Sequence, residues 1–425
     1  MVIYREEYRL YNFGPDHPFS PVRLEMLTSL LQALGVWRAP LSPPEASREE
    51  VLSVHSERLV KRVEAASRGE LYPDLEHYGL GTGDTPVFPG MDRAARILVG
   101  GTLEGARRIL AGEKRVLQLG GGLHHAQYDR ASGFCVYNDL SVAIRHMTRA
   151  GLRVAYVDID VHHGDGVQWI HYEEGEVLTL SLHESGRYLF PGTGHVYEIG
   201  RGAGLGKKLN LPLEPFTEDE SYLEVFEALV PWALKAFRPD VLVVQAGADA
   251  HYLDPLADLL LTTRAYERLF RLLLEYAEAY AGGRVLFTLG GGYSLDGTVR
   301  VWALLYHLFH GLPLPERLPE GWLRTWEARL GKPLTPTLHD PEGAYPEIPR
   351  WEEIAKRNRL TLQRLTELVA PHLPHPRGGG RSAPARAQGG GGQGEPALKG
   401  GSGGAWPEPG DRGGGAGRGA PHPGG

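Results

Sequence analysis

Val154-Ala155-Tyr156-Val157-Asp158-Ile159-Asp160-Val161-His162-His163-Gly164-Asp165-Gly166 begins as an apolar run and closes on carboxylates, imidazoles and glycine. A strand with one face in water alternates polar and apolar residues, so a run apolar on both faces predicts a strand inside a buried parallel sheet, here over 154–159. Similar runs recur at 116–119, 177–182, 241–245 and 285–289, rich in Val, Leu or Ile and ending at Gly, Asp or His. Helical patterns lie between them at 91–110, 139–149, 218–237 and 262–281. Thr217 followed by Glu220 predicts a capping box at the start of the third. Strand–helix alternation predicts an α/β domain over residues 1–375, with a central parallel sheet flanked by helices on both faces. No fixed-period repeat is present. From about residue 376 the chain turns Gly-, Pro-, Ala- and Arg-rich, with little apolar surface to offset the entropy of ordering. Residues 376–425 therefore read as a disordered tail.

Composition narrows the function classes. The 425 residues are 42% hydrophobic and 23% charged, a normal globular balance. The single cysteine, Cys135, excludes an intramolecular disulfide and suits a reducing cytoplasm. The start, Met1-Val2-Ile3-Tyr4-Arg5-Glu6-Glu7, has no apolar signal region, and no uninterrupted run of about 18 apolar residues predicts a membrane span. Net charge is −7, from 45 basic and 52 acidic residues. That balance gives no basic surplus for nucleic acid. The expectation is a cytoplasmic protein with neither nucleic acid nor membrane as partner.

In open parallel sheets, ligands bind beyond the carboxyl ends of the strands. The predicted strands run there into Gly120-Gly121-Gly122-Leu123-His124-His125, Asp158 through Gly166, His183, Ala246-Gly247-Ala248-Asp249 and Gly290-Gly291-Gly292-Tyr293. At strand spacing Asp158, Asp160 and His162 share a face. Carboxylates pointing one way repel unless a cation or a histidine intervenes. Two carboxylates and an imidazole, from Asp160, His162 and Asp249, make a three-ligand set for catalytic Zn²⁺ with a position left for water, and Fe²⁺ or Co²⁺ accepts the same ligand types. A metal centre that hydrolyses amides needs a base for water and an acid for the leaving amine. His124 and His125 suit that work near neutral pH, with Asp158 and Asp165 as partners on their far ring nitrogens. A phenol at Tyr293 suits an oxyanion.

Taken together these segments resemble the histone deacetylase family. The matching pieces are Gly122-Leu123-His124-His125-Ala126, Ser132-Gly133-Phe134-Cys135 with Asn138-Asp139, residues 158–167, Phe190-Pro191-Gly192-Thr193-Gly194, residues 245–249 and 290–293. They follow the family order over roughly residues 1–310. The resemblance implies Asp160, His162 and Asp249 as zinc ligands and His125 as general base and then acid. It implies His124 as electrostatic companion, Tyr293 as the group polarising an acetyl carbonyl, and Asp158 and Asp165 as carboxylates behind the histidines. It implies Gly133, Phe134, Phe190 and Leu256 along an acyl-lysine tunnel and Asp84 at its rim. Arg23 would line an inner cavity, and Asp158, Asp160, His162, Ser181 and Leu182 a structural potassium site. Residues 12–19 and 84–90 look most like the bacterial acetoin-utilisation branch. That likeness implies an acetylated protein, acetyl-CoA synthetase, as substrate and partner; oligomeric state stays open.

The related arginase fold holds two Mn²⁺ and needs further carboxylates; Gly164 and His251 stand where it would supply them, so one catalytic metal is expected. Cys135 reads as a small packing group, and His163, His171, His183 and His195 mostly as structural hydrogen-bonding residues. His307 and His310, one helical turn apart, sit among Trp302, Leu304, Leu305, Tyr306, Leu308 and Phe309 and read as core. Two other activities stay open: deacetylation of small amines such as acetylpolyamines, and non-catalytic acyl-lysine binding.

Overall fold

Seven strands form one sheet: β1 (Val2–Ile3), β2 (Arg115–Gln118), β3 (Val154–Asp158), β4 (Val177–Glu184), β5 (Lys208–Leu213), β6 (Val241–Gln245) and β7 (Val285–Thr288). Their order is β1-β2-β7-β6-β3-β4-β5, with every pairing parallel. The computed structural model describes residues 1–373; the tail expected over 376–425 lies outside the described residues. The expected parallel sheet is present, with two strands beyond those predicted. β1 is too short to show periodicity. β5, Lys-Leu-Asn-Leu-Pro-Leu, carries polar residues and a proline that fit an edge strand.

The helices are α1 (Val22–Ala33), α2 (Arg48–Leu52), α3 (Glu57–Ser67), α4 (Met91–Leu110), α5 (Asp139–Arg149), α6 (Asp165–Ile170), α7 (Asp219–Phe237), α8 (Thr263–Tyr280), α9 (Leu295–Phe309), α10 (Glu320–Leu330) and α11 (Trp351–Val369). None of the described helices is long and apolar enough to cross a membrane. Strand residues are shared between two cores. Val154, Tyr156, Val241 and Val243 pack with Leu140, Ala143 and Ile144 of α5. Ala155, Val157, Leu242 and Val244 belong to the core that holds α7, α8 and α9. Successive side chains leave opposite faces of a strand, so a sheet covered on both sides demands unbroken apolar runs.

The start of α7 corrects one expectation. The cap is Glu218, whose carboxylate accepts from Glu220 N and Ser221 N at 3.0 Å. The Thr217 hydroxyl instead donates to Glu214 O at 2.6 Å. A threonine that serves the preceding turn is not available to cap.

Connections leave β3 toward β4 and β5 on one side, and leave β6 toward β7 on the other. The crevice between the neighbours β3 and β6 is therefore the topological switch point, the expected ligand position.

Candidate active site

Past β2 the chain makes the triple-glycine loop. It is held by the Asp139 carboxylate at the start of α5, which accepts from Gly122 N at 2.9 Å, Leu123 N at 2.8 Å and the Thr102 hydroxyl at 2.6 Å. This turns both histidines toward the end of β3. His124 Nδ1 lies 2.6 Å from Asp158 Oδ2, and His125 Nδ1 lies 2.6 Å from Asp165 Oδ1. Asp165 is the first residue of α6, and its other oxygen accepts from Gln127 Nε2 at 3.0 Å. With each Nδ1 spent on a carboxylate, each Nε2 is left for chemistry.

The shared strand face expected for Asp158, Asp160 and His162 is not what aligns them, because β3 ends at Asp158. Side chains take over from the pleat. Asp158 Oδ1 accepts Asp160 N at 3.1 Å, and Asp160 Oδ1 accepts His162 N at 3.0 Å. Aspartates bending their own backbone build such turns readily.

Asp160, His162 and Asp249 are buried, and one ligand atom from each lies within 4.8 Å of the others. His162 Nδ1 stands 3.2 Å from Asp160 Oδ1 and 3.1 Å from Asp249 Oδ2. The remaining oxygens are occupied. Asp160 Oδ2 accepts from Gln245 Nε2 at 2.8 Å and Gly291 N at 2.9 Å; Asp249 Oδ1 accepts Val161 N at 2.8 Å. Each carboxylate thus offers one oxygen to a common point beside an imidazole nitrogen, the donor set of a divalent metal site. Electrostatics agree. Burial and the charge of Asp160 push the Asp249 carboxyl up, so without a cation the cluster holds a proton instead.

Among the described residues one group of His and carboxylate side chains has this geometry, and the two positions where a second catalytic metal would need carboxylates do not supply them. A side chain at Gly164 would start 2.2 Å from Asp158 Oδ2. His251 faces away, its Nε2 2.8 Å from Asp340 Oδ2.

The two histidines differ in charge. Burial opposes the charge of His124, but Asp158 and Asp160 outweigh it and raise its pKa to about 9. Burial, then the neighbouring His124 charge, lower His125 to about 4 despite Asp165. Tyr293 is pushed well above the ordinary phenol range by burial, then by Asp249 and Asp160. A neutral imidazole and a protonated phenol therefore meet at one place.

They meet at a cavity of about 300 Å³ lined by His17, Pro18, Gly83, Asp84, His125, Gly133, Phe134, His162, Leu189, Phe190, Leu256 and Tyr293. Phe190 stands edge-on to His125 with ring centroids 5.1 Å apart, and Phe134 edge-on to Tyr293 at 5.6 Å. Phe134 has φ +71°; its carbonyl accepts from the Tyr11 hydroxyl and its N–H donates to Thr85 Oγ1 at 3.3 Å. The anticipated Asp84, Gly133, Phe134, Phe190 and Leu256 all face this cavity. Arg23 does not; it lines a smaller void behind Gly120 and Gly121, and its guanidinium donates to Gly290 O at 2.8 Å and Gly292 O at 3.3 Å. Ser181 pairs in register with Asp158, and its hydroxyl meets His183 Nδ1 at 2.9 Å.

Of the other histidines named from the sequence, His163, His171 and His183 are hydrogen-bonded within the fold, whereas the His195 ring stacks on Tyr197 with centroids 5.2 Å apart. His163 reaches Thr193 and Gln168, His171 reaches Glu174, and His183 also reaches Gly194 O. His307 Nδ1 bonds Ala303 O at 2.6 Å while His310 Nδ1 meets Arg38 at 3.2 Å, so the two share no ligand. Cys135 is buried.

Residue-level reading missed His17, Gln245, Asp139 and Asp254. His17 Nε2 bonds Asp84 O at 2.8 Å and its ring packs edge-on against Phe134 at 4.7 Å. The available signals were a His-Pro pair for His17 and a polar residue ending an apolar strand for Gln245.

The histone deacetylase domain model matches residues 17–309. The acetoin utilization protein AcuC of Bacillus subtilis (strain 168) is 42% identical over 368 residues, covering 85% of this chain and 95% of that protein. AcuC of Staphylococcus xylosus is 37% identical, covering 85% and 96%. A crystal structure of an HDAC homolog complexed with SAHA matches at TM-score 0.77 and 28% identity, covering 86% of this chain and 98% of that one. An HDAC homolog from Aquifex aeolicus matches at TM-score 0.75 and 27% identity, covering 84% and 99%.

Proposed function

The chain belongs to the histone deacetylase family, and from that premise we propose that it hydrolyses the acetyl amide of N6-acetyl-lysine in proteins and releases acetate. The observation that carries this reading is the convergence of the Asp160–His162–Asp249 cluster, the His125–Asp165 pair and Tyr293 on one cavity.

Asp160, His162 and Asp249 would hold the metal, which we assign as zinc. Such an ion supplies a Lewis acid for the carbonyl and lowers the pKa of water. His125 Nε2 takes the proton from the attacking water and returns it to the lysine nitrogen as the C–N bond breaks. Asp165 keeps that ring in the tautomer that can accept. His124, charged and buried, adds a positive field beside the developing oxyanion. The Tyr293 hydroxyl donates a hydrogen bond to that oxygen, and the bond tightens as charge grows. Phe134, Phe190, Gly133 and Leu256 enclose the aliphatic stem, and Asp84 accepts from the substrate backbone at the rim. Arg23 lines the inner void through which acetate leaves. Asp158, Asp160, His162, Ser181 and Leu182 would hold a structural potassium ion.

We also propose acetyl-CoA synthetase as the acetylated partner and the cytoplasm as the place of action, readings that extend the likeness to acetoin utilization proteins. The test is acetate release from protein with defined zinc or iron loading, offered acetyl-lysine peptides, acetylated acetyl-CoA synthetase and acetylpolyamines. The proposal expects peptide and protein substrates to turn over. Turnover confined to polyamines transfers the role to small amines, and peptide binding without acetate release makes the site a reader.

A further inference from the structure

Tyr293 ends a glycine run, Gly290-Gly291-Gly292, that does little by itself to aim a side chain. Its own N–H donates to Asp254 Oδ2 at 2.9 Å. The other oxygen of that carboxylate, Oδ1, accepts from Leu256 N at 2.9 Å. Asp254 therefore ties together the backbone of the phenol-bearing residue and that of a cavity-wall leucine. Its own N–H is fastened to His251 O at 2.9 Å, close after Asp249. One short segment, 249–256, thus carries a cluster carboxylate, the tie and the wall.

The residue is 6% exposed and forms no ion pair among the described residues. Burying a carboxylate without a cation is costly, and amide donors are what make it tolerable. A neutral side chain would pack there more cheaply, so the feature calls for a role that needs two acceptor oxygens facing different ways. We propose that Asp254 is a positioning residue for the hydrolysis, setting the place of the Tyr293 hydroxyl relative to Asp249 and, through the same carboxylate, the place of the Leu256 wall. The assignment rests on the deacetylase reading, in which Tyr293 acts on the carbonyl oxygen.

The test compares native, Asp254→Asn, Asp254→Glu, Tyr293→Phe and the Asp254→Asn/Tyr293→Phe double variant, all zinc-loaded, on an acetyl-lysine peptide. An amide oxygen can serve one of the two N–H groups but not both. Asp254→Asn should lower kcat by about tenfold to a hundredfold with a much smaller change in KM, the usual cost of losing a group that orients a reacting one. Asp254→Glu, which keeps two acceptors, should recover part of that loss. In the Tyr293→Phe background the Asp254→Asn change should cost less than about threefold, because residues acting as a unit are non-additive. Full turnover of Asp254→Asn overturns the proposal. So does an equal loss with and without the Tyr293 hydroxyl, which would mark a general structural effect. Thermal melting identifies a variant that fails to fold, in which case the Asp254→Glu pair with and without Tyr293→Phe decides. A native enzyme that releases no acetate defeats the deacetylase reading itself, a separate result.

Discussion

His124 and His125 are adjacent in sequence, each backed by an aspartate at 2.6 Å, yet their proton affinities lie on opposite sides of neutrality. Asp160, at 3.7 Å from His124 Nε2, adds a second negative charge on one ring only. The charge this stabilises on His124 then repels a proton from His125, whose ring centroid is 4.1 Å away. The base is neutral above its lowered pKa of about 4, and so available across the physiological range. Replacing His124 with Gln removes the repelling charge, so the His125 pKa must rise. The acidic limb of kcat/KM is then expected to move to higher pH, measurable as a pH profile; a limb that stays put would show that His124 does not set it. At Tyr293 the sign is opposite in use: a raised pKa keeps the proton on the phenol. Tyr293→Phe should therefore fold normally by circular dichroism and lose about 10²–10³ in kcat, the cost of an oxyanion donor. Turnover at the native rate would assign the phenol elsewhere.

Between elements, the site depends on what loops leave out as much as on what they supply. Gly133 has φ +49°, and a Cβ there would lie 2.7 Å from His125 Cδ2 and 2.8 Å from Phe190 Cε1. The left-handed backbone and the narrow gap both require glycine. Gly133→Ala is expected to lower kcat/KM for acetyl-lysine peptides by at least about tenfold through a displaced base or wall, in line with the sensitivity of reaction geometry to small shifts. Melting temperature should fall as well, because alanine is strained at this positive φ. Equal kcat/KM in mutant and native would show that the walls relax freely. Asp158, Asp160 and Asp165 were legible at this scale, because carboxylates gathered at the end of a buried strand repel one another unless a cation or a histidine intervenes. Their alignment was not, since it comes from the aspartates hydrogen-bonding their own turn after β3 has ended.

Across the whole molecule, a buried clamp joins the segment after α10 to the ligand-bearing crevice. Asp340 accepts from Thr263 N at 2.7 Å, meets His251 Nε2 at 2.8 Å and pairs with Arg300 Nη1 at 2.7 Å. Burial works against its charge, but His251 and Arg300 prevail and hold the carboxyl well below the usual range. A depressed carboxylate contributes stability that is present above its unfolded pKa, about 3.9, and lost as pH falls toward the folded value. Asp340→Asn should therefore cost about 3 kcal/mol at pH 7, as expected when one partner of a buried pair is removed. The difference from native should shrink in acid. Denaturant unfolding at pH 7 and at about pH 2, well below the unfolded pKa, measures both; a constant difference would place the effect in packing. The unit Met1–Arg377 contains every site residue named above.

The sequence by itself determined the parallel α/β class, the strand ends that carry chemistry, and the residues that meet there. Period and apolarity are local properties, and so is the rule that strand ends face the ligand. Tertiary structure alone decided which oxygen of each aspartate is spent and which is offered. It also decided that His17 abuts Phe134, that Asp139 holds the triple-glycine loop, and that Asp254 carries Tyr293. These contacts, ring packing in the first case and hydrogen bonds in the others, join partners with no fixed spacing, up to 117 positions apart for His17 and Phe134. A direction in space is set by the packed chain as a whole, and no window of sequence contains it.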